Sequence, residues 1–426
     1  MPEYRRLAHP IEQPKPLSGE ASPSFFGRVF KAFQFRDFRL MWTGACTSQI
    51  GTQVQTAAQA WLVYDLSRNS SFFLGLDQFL GQIPIVFLAL LGGVVADRHD
   101  RRKVLLMSQY IQMSSAFVLS LLVFTGAVRV WHILCLSVVV GIGQSFGGPS
   151  YSALVPSLVP REHLQNAISL NSIQFNLARV IGPTIGGIAL VTLGAAWCFA
   201  FNGISFIAVI VTLYMIHSFF VPPKSREPIM TSMKQGIRFI RQQPGMEAVI
   251  VLAFCMTTLG FPVIGFLPVF AREVFHKGPQ TFTLFLSCSG AGAVTGALVV
   301  AAIGRLKHQG RTALIMLSVL GVMTAGFALS SSVAVSCLML FLAGGSLMAV
   351  FSMVTTLVQM ITPDDMRGRV MSVYNLALRG GGPVGGLIVG SLIPHFTAPI
   401  TIAIAGGLQI LLAAYFLTVN RRVAVL

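Results

Sequence analysis

Two arginines interrupt long apolar stretches of this sequence, where a permanent charge is costly. Arg179 lies within 177–187 and Arg379 lies within 377–386. In the middle of a membrane-spanning helix an arginine costs roughly 2.5–3.5 kcal/mol, so it normally faces a cavity or a partner. Guanidinium groups hold carboxylates and phosphates through two parallel hydrogen bonds. The pair therefore indicates an anion-binding site, unless each arginine bonds backbone carbonyls that the neighbouring Gly-Pro sequence leaves free.

The two arginines occupy equivalent positions of an internal repeat. At an offset of 200 residues the repeat aligns three further pairs, Gly182 with Gly382, Pro183 with Pro383 and Gly186 with Gly386. Secondary transporters are often built from such repeats, with the substrate site at their interface. The repeat predicts that both arginines flank one central pathway.

Asp77 is the only carboxylate clearly inside a predicted membrane span. A carboxyl group removed from water takes up a proton more readily than an exposed one, which makes Asp77 the candidate proton carrier. Glu247 and Glu273 lie at span ends and are weaker candidates. The alternative for Asp77 is a residue near a helix start that is exposed to an outer vestibule.

The first apolar stretch carries a stripe of polar side chains. Five of them fall within about 120° of helical arc at 3.6 residues per turn, namely Gln49, Thr52, Gln53, Thr56 and Gln59. Such a face does not suit lipid, so these side chains are candidates for contact with substrate. Further candidates in other spans are Gln144, Tyr151, Asn171, Gln174 and Gln359. The alternative for all of them is hydrogen bonding between helices, which is common in membranes.

The composition supplies helices that could hold these residues in a bilayer. Of the 426 residues, 54% are hydrophobic and 10% are charged, whereas soluble proteins contain about 25% charged residues. Runs of about 20 apolar residues span a bilayer core as helix. Twelve spans are predicted, at 40–64, 73–96, 104–125, 131–157, 164–192, 195–218, 247–272, 282–304, 312–330, 333–359, 368–394 and 397–419. The predicted fold class is an all-α integral membrane protein with two pseudo-symmetric six-helix bundles.

No pattern in the sequence is typical of an enzyme or a cofactor site. The eight histidines and six cysteines lack the spacing of a metal site. No P-loop is present, and the GxGxxG match at 380–385 lies in an apolar stretch rather than after a strand. We expect no catalysis, no metal and no cofactor.

The distribution of basic residues predicts the orientation of the spans. With the N-terminus inside, 24 of the 30 Lys and Arg residues fall on the cytoplasmic side and four fall outside. The remaining two are Arg179 and Arg379. Because basic residues are retained on the cytoplasmic side, we expect both termini to be cytoplasmic. The same rule accounts for the net charge of +16 without a nucleic-acid partner.

The predicted domains follow from this topology. They are a cytoplasmic segment 1–36, two six-helix bundles at 37–218 and 247–420, a central cytoplasmic loop 219–246 and a tail 421–426. Within the central loop, apolar and basic residues each recur at helical spacing, at Met233, Ile237 and Ile240 and at Lys234, Arg238 and Arg241. This pattern predicts an amphipathic helix on the anionic inner leaflet.

The loop between spans 2 and 3 carries a dense cluster of charges, which ends in Asp97-Arg-His-Asp-Arg-Arg-Lys103. It resembles the G-x-x-x-D-R-x-G-R-R signature of the major facilitator superfamily, matched here by Gly93, Asp97, Arg98, Arg101 and Arg102. Asp100 replaces the usual glycine. This variant is similar to the branch of bacterial exporters called transmembrane secretion effectors, which includes the enterobactin exporter. The resemblance covers residues 36–420 and implies a multi-pass protein of a bacterial inner membrane.

The resemblance implies a gating role for this loop. Pairs made by Asp97 and the three arginines in only one conformation would bias the balance between inward- and outward-open states. The alternative is that these charges only set topology. By the same resemblance, spans 1, 4, 7 and 10 line the substrate cavity.

A second motif, in span 5, is similar to one that drug and metabolite antiporters carry. Gly182, Pro183, Gly186 and Gly187 match G-P-x-x-G-G, with Ala178 where a further glycine is usual. The resemblance implies export rather than import, while the small residues by themselves predict close helix packing. Span 4 lacks the arginine that many proton-coupled drug antiporters have there.

These observations predict a secondary active transporter that exports a small molecule by alternating access, driven by proton antiport. A siderophore-like anion suits the paired arginines and the branch resemblance. Multidrug efflux of hydrophobic compounds would suit the 32 Phe and 17 Met residues, and a lipid or lysolipid flippase is a further alternative. A non-transporting membrane receptor or scaffold is the alternative from another class. We expect a monomer in the bilayer.

Overall fold

The computed structural model describes residues 30–216, 229–304, 308–363, 366–421 and 423–424. All regular secondary structure in these residues is helical. The first half contains spans 1 to 6, at Arg36–Leu66, Ser71–Arg98, Arg101–Phe124, Val130–Leu154, Leu164–Thr192 and Ala195–Met215. An amphipathic helix, Ile229–Gln242, follows and is here called the loop helix.

The second half contains the remaining six spans. Span 7 starts as Met246–Gly260 and continues through Pro262–Gly265, Leu267–Val269 and a π-helical segment, Phe270–Val274. Spans 8 to 12 are Pro279–Ile303, Gln309–Leu329, Val333–Ile361, Arg367–Phe396 and Ala398–Thr418. The twelve predicted helices and the predicted all-α fold are thus confirmed.

Span 1 differs from the other spans in composition. In the described part of the chain, eleven helical segments, corresponding to spans 2 to 12, are long and apolar enough to cross a membrane. Span 1 falls outside that set although it has 31 residues, because its polar stripe lowers its hydropathy. A helix of this kind needs protein or water, not lipid, against its polar face.

The turn between spans 2 and 3 is closed by Asp100, the residue that stands in place of the family's usual glycine. Its side chain accepts a hydrogen bond of 2.9 Å from the backbone N–H of Arg102. A carboxylate in this position satisfies one of the unpaired amides at a helix start. The substitution therefore gives span 3 an N-terminal cap.

The internal repeat is visible in the packing of the glycines. In span 5, Gly186 packs against span 1 at Val54, while Gly187 packs across the seam against Thr283 of span 8. In span 11, Gly385 packs against span 7 at Thr258, while Gly386 packs across the seam against Gln78 of span 2. In each Gly-Gly pair, the first glycine thus packs against a helix of its own half and the second packs against a helix of the other half.

The hydrophobic clusters show where the halves meet. We call the end with the span 2–3 loop the basic end. At the opposite end both halves share one cluster, which includes Tyr64 and Leu74 of the first half and Phe270 and Phe282 of the second. Near the basic end the buried residues form two separate clusters, one built from the first half and one from the second. The halves are therefore joined at the opposite end and separate towards the basic end.

Close packing at the first glycine of each pair gives a test of this arrangement. A methyl group at Gly385 would overlap the Thr258 carbonyl oxygen, a backbone atom that cannot move aside easily, whereas one at Gly407 in span 12 meets no atom within 4 Å. Gly385→Ala should therefore destabilise the protein by about 1–3 kcal/mol. Gly407→Ala should be neutral or stabilising, since alanine favours helix. Thermal unfolding in detergent, monitored as the loss of the folded-protein peak in size-exclusion chromatography, measures both effects. Equal effects of the two substitutions would contradict the packing.

Candidate functional site

Arg179 and Arg379 lie near the middle of their membrane-spanning helices, and their side chains are nevertheless exposed. They sit on spans 5 and 11, the equivalent helices of the two halves, and are close enough for their charges to repel. Neither guanidinium forms a hydrogen bond or ion pair with another described residue, including the backbone carbonyls near the Gly-Pro sequences. Exposure at this depth indicates a cavity between the halves, which is open where they separate, at the basic end.

The polar stripe of span 1 divides into two groups. Towards the basic end and the middle, Gln49 and Gln53 are partly buried and Thr56 is exposed. The Gln53 side chain packs against Gly182 of span 5, and the Thr56 hydroxyl donates to the Thr52 carbonyl at 2.8 Å. Gln59, nearer the opposite end, belongs to a separate polar cluster around Asp77.

Asp77 is buried, with 8% of its surface exposed. The Gln59 amide nitrogen donates to both carboxylate oxygens, at 3.0 and 2.9 Å. The Ser137 hydroxyl donates to one of them at 2.5 Å. Three spans, 1, 2 and 4, thus converge on one carboxylate that no described cation neutralises. The alternative of an exposed residue at the start of span 2 does not match this burial.

Ser137 was not predicted as a site residue. It is one serine in the apolar run of span 4, and its type and spacing carry no signal. Only the relative rotation and height of spans 2 and 4 bring its hydroxyl to Asp77. The Gln59 amide, a predicted substrate contact, donates to the Asp77 carboxylate, and its contact with substrate stays a prediction.

The other predicted polar candidates lie mostly between helices. The Gln144 amide donates to Gln112 of span 3 at 3.2 Å, and the Tyr151 hydroxyl donates to Asn171 of span 5 at 2.5 Å. A longer contact of 3.4 Å joins Tyr151 to Gln174. These bonds favour the interhelical interpretation for span 4. Gln359 of span 10, in contrast, is exposed and makes no hydrogen bond to a described residue.

The arginines of the span 2–3 loop brace the first half. Arg101 is buried and donates to the Ala96 carbonyl at 3.2 Å and the Ala153 carbonyl of span 4 at 2.8 Å. Arg102 donates to the Tyr214 carbonyl of span 6 at 3.0 Å and lies over the Tyr214 ring. These bonds connect the loop to the basic ends of spans 4 and 6. They stay within one half, so they hold the loop in place rather than cross the seam.

The remaining members of the loop motif make few described contacts with the rest of the protein. Arg98 is exposed, and a side chain placed at Gly93 would meet no atom within 4 Å. The Asp97 side chain, the centre of the predicted gate, lies outside the described residues. The gating role of the loop therefore stays a prediction. In span 5 the structure places Pro183 inside a continuous helix, between the two packing glycines Gly182 and Gly186.

At the opposite end, polar contacts cross the seam between the halves. The Tyr64 hydroxyl of span 1 donates to the Glu273 carboxylate, and Arg272 forms an ion pair with Asp65. Next to them, the Ser71 hydroxyl of span 2 donates to the Gly390 carbonyl of span 11 at 3.1 Å. We call the Tyr64–Glu273 and Asp65–Arg272 contacts the clasp. Sequence patterns gave no sign of it, because its partners lie 207 and 209 residues apart.

A family model described as transmembrane secretion effector matches residues 29–426. The chain belongs to this family. Two curated relatives are named enterobactin exporter EntS, from Escherichia coli O139:H28 (strain E24377A / ETEC) and Escherichia fergusonii. Each is 30% identical over 355 residues, which cover 82% of this chain and 83% of the relative. The predicted branch of the superfamily is thereby confirmed.

Solved transporters share the fold. A POT family transporter in complex with a thioalcohol-conjugated peptide matches with a TM-score of 0.72 and 14% identity, over 91% of this chain and 96% of that one. A bacterial homologue of the iron transporter ferroportin in an inward-facing state matches with a TM-score of 0.70 and 16% identity, over 90% and 99%. Together with the family match, this shared fold identifies the chain as a multi-pass membrane transporter of the major facilitator type.

The clasp predicts a measurable shift in the conformational equilibrium. Tyr64→Phe removes one hydrogen bond to a charged group, worth about 1.5–3 kcal/mol, so states with the opposite end open should gain about ten- to hundredfold. Spin labels on cysteines introduced at 161 and 311, in a variant without the native cysteines, report the separation of the halves at the basic end. In Tyr64→Phe the distribution of distances between the two labels should gain a population at shorter distance. Tyr415→Phe, at an exposed tyrosine of span 12, is the matched control and should leave the distances unchanged. An unchanged distribution for Tyr64→Phe would show that the clasp does not hold this state.

Proposed function

We propose that this protein exports a small organic anion across the bacterial inner membrane by alternating access, coupled to proton antiport. The observation that carries the proposal is the pair Arg179 and Arg379, exposed in the cavity between the halves with no described anionic partner. Two neighbouring cations in a cavity between membrane-spanning helices repel each other. An anion that bridges them relieves this repulsion and accepts hydrogen bonds from both guanidinium groups.

A siderophore-like anion is the substrate class that the observations favour. The named relatives are enterobactin exporters, which supports an exported small molecule. A ligand with several acidic oxygens would use both guanidinium forks at once, with Gln49, Gln53 and Thr56 of span 1 and Gln359 of span 10 as neutral hydrogen-bonding groups along the cavity. A neutral hydrophobic drug would leave the two arginines unpaired.

Alternating access is supported by the difference between the two ends. The distribution of basic residues supports a cytoplasmic location for the basic end and for both termini. The cavity is then open to the cytoplasm, where an exporter loads its substrate, and the clasp closes the other side. Release requires that the clasp opens and that the basic ends of the two halves approach.

Asp77 is the proposed proton carrier. It is buried, lies on the closed side of the cavity, and is held by neutral hydrogen-bond donors instead of by a cation. Its neighbour Gln78 contacts Gly265 of the broken part of span 7 and Gly386 of span 11. A change of charge at Asp77 would therefore act next to the seam that has to open.

The substrate hypothesis is tested by neutral variants of the two arginines. Arg179→Gln and Arg379→Gln should each reduce transport of anionic siderophores into inverted membrane vesicles at least about tenfold, since each removes a charge-assisted contact worth about 1.5–3 kcal/mol. Uptake of neutral drugs and lysolipids is measured in parallel. Arg311→Gln, an exposed arginine at the start of span 9, is the control with the same charge change. Wild-type uptake of every anion by both variants would refute the anion site.

Proton coupling is tested separately, by the effect of a pH gradient. In inverted vesicles with an acidic lumen, proton antiport should drive uptake by the wild-type protein and by Asp37→Asn, a control at the start of span 1. Asp77→Asn should give the same uptake with and without the gradient, because its side chain cannot release a proton. A normal response of Asp77→Asn to the gradient would exclude Asp77 as the carrier.

A further inference from the structure

The loop helix is docked on the second half by one face. Gly236 packs against the backbone of Arg369 at the start of span 11, and Ile240 is buried in the hydrophobic cluster of the second half. The glycine permits this approach, because a Cβ there would lie 2.8 Å from the Arg369 carbonyl oxygen. The apolar face that the sequence pattern assigned to the membrane is thus in part covered by protein.

The opposite face of the loop helix is strongly basic. Lys234, Arg238 and Arg241 are all exposed and fall within about 60° of arc at 3.6 residues per turn. None of the three makes an ion pair or hydrogen bond with another described residue. Three like charges on two turns of helix repel one another, so an anion bound among them would stabilise this face.

An open, shallow surface cavity of about 330 Å³ lies on this face. Its walls are the three basic side chains together with Ile237 and Gln242. Cationic groups next to one apolar side chain and one amide match a ligand whose anionic group is attached to something less polar. A free inorganic anion would make no use of Ile237.

The position of the helix identifies the source of that anion. It lies immediately before the start of span 7 at Met246 and against the start of span 11, where helices leave the hydrocarbon core. The ends of membrane-spanning helices lie at the level of the polar headgroups, so we infer that the loop helix lies at this level. Basic residues on a helix at this level attract anionic lipids, and each of them raises the affinity for such a lipid about fivefold.

We propose that Lys234, Arg238 and Arg241 form a binding site for the phosphate of one anionic phospholipid, with Ile237 against its glycerol and acyl region. The site is separate from the central cavity. Because Gly236 rests on the backbone of Arg369 and Arg379 lies ten residues further along span 11, a lipid in this site fixes the basic end of a cavity-lining helix.

The test is native mass spectrometry of the purified, full-length protein with phosphatidylglycerol or phosphatidylcholine added in detergent. The wild-type protein should retain one phosphatidylglycerol with at least about tenfold preference over phosphatidylcholine. The triple variant Lys234→Gln, Arg238→Gln, Arg241→Gln should lose this preference. A control triple variant, Arg161→Gln, Arg311→Gln, Arg421→Gln, removes three exposed charges from the same end and should keep it. Thermal unfolding of each variant verifies that it is folded.

Two results would overturn the proposal. Equal loss of phosphatidylglycerol in both triple variants would mean that net charge, rather than a site, retains the lipid. Displacement of the lipid by millimolar inorganic phosphate would mean that the cavity takes soluble anions and that Ile237 contributes nothing.

Discussion

A permanent charge inside a membrane has to meet water, a partner or a ligand, and this constraint organises the molecule. Arg179 and Arg379 stay charged in any environment a protein offers. Burying them against each other would be prohibitive, and both side chains are exposed on spans 5 and 11 rather than packed into the protein. Small residues then let the halves close at the opposite end without filling the cavity between them. The same two helices thus carry the charges and the glycine pairs that make the seam.

The glycine pairs and the clasp act at the same end of the molecule by different means. Gly187 and Gly386 allow close packing across the seam against Thr283 and Gln78, and this packing involves no charged side chain. Tyr64–Glu273 and Asp65–Arg272 are polar contacts at the edge of the seam. They break and re-form with less rearrangement than the packing at the glycines. Asp77 lies near both on span 2, whose seam-facing residues include Ser71, Gly75 and Gln78. Span 2 therefore connects a titratable group to the surface that has to separate.

Much of the fold was predictable because membrane insertion imposes a simple rule. Apolar runs of bilayer length gave all twelve helices, and the repeat of Arg179 at Arg379 placed the two halves in register. The polar stripe predicted that this side of span 1 does not face lipid, and two of its residues, Gln53 and Gln59, contact spans 5 and 2. Asp77 was singled out because a carboxylate in an apolar run is unusual. The two side chains that donate hydrogen bonds to Asp77 could not be identified as its partners from the sequence. Ser137 has nothing in type or spacing to mark it, and Gln59 is one of several similar glutamines.

The contacts that depend on tertiary geometry could not be predicted from the sequence. The clasp joins residues more than two hundred positions apart, and the helix cap by Asp100 depends on the turn that it closes. The loop helix was recognised by its periodicity, but its pattern could not tell an apolar face docked on protein from one immersed in lipid. The most direct test of the central claim is a structure determined with a transported anion bound. We predict acidic oxygens of the anion within hydrogen-bond distance of both Arg179 and Arg379. An anion bound elsewhere, with either guanidinium paired to the protein, would contradict the account.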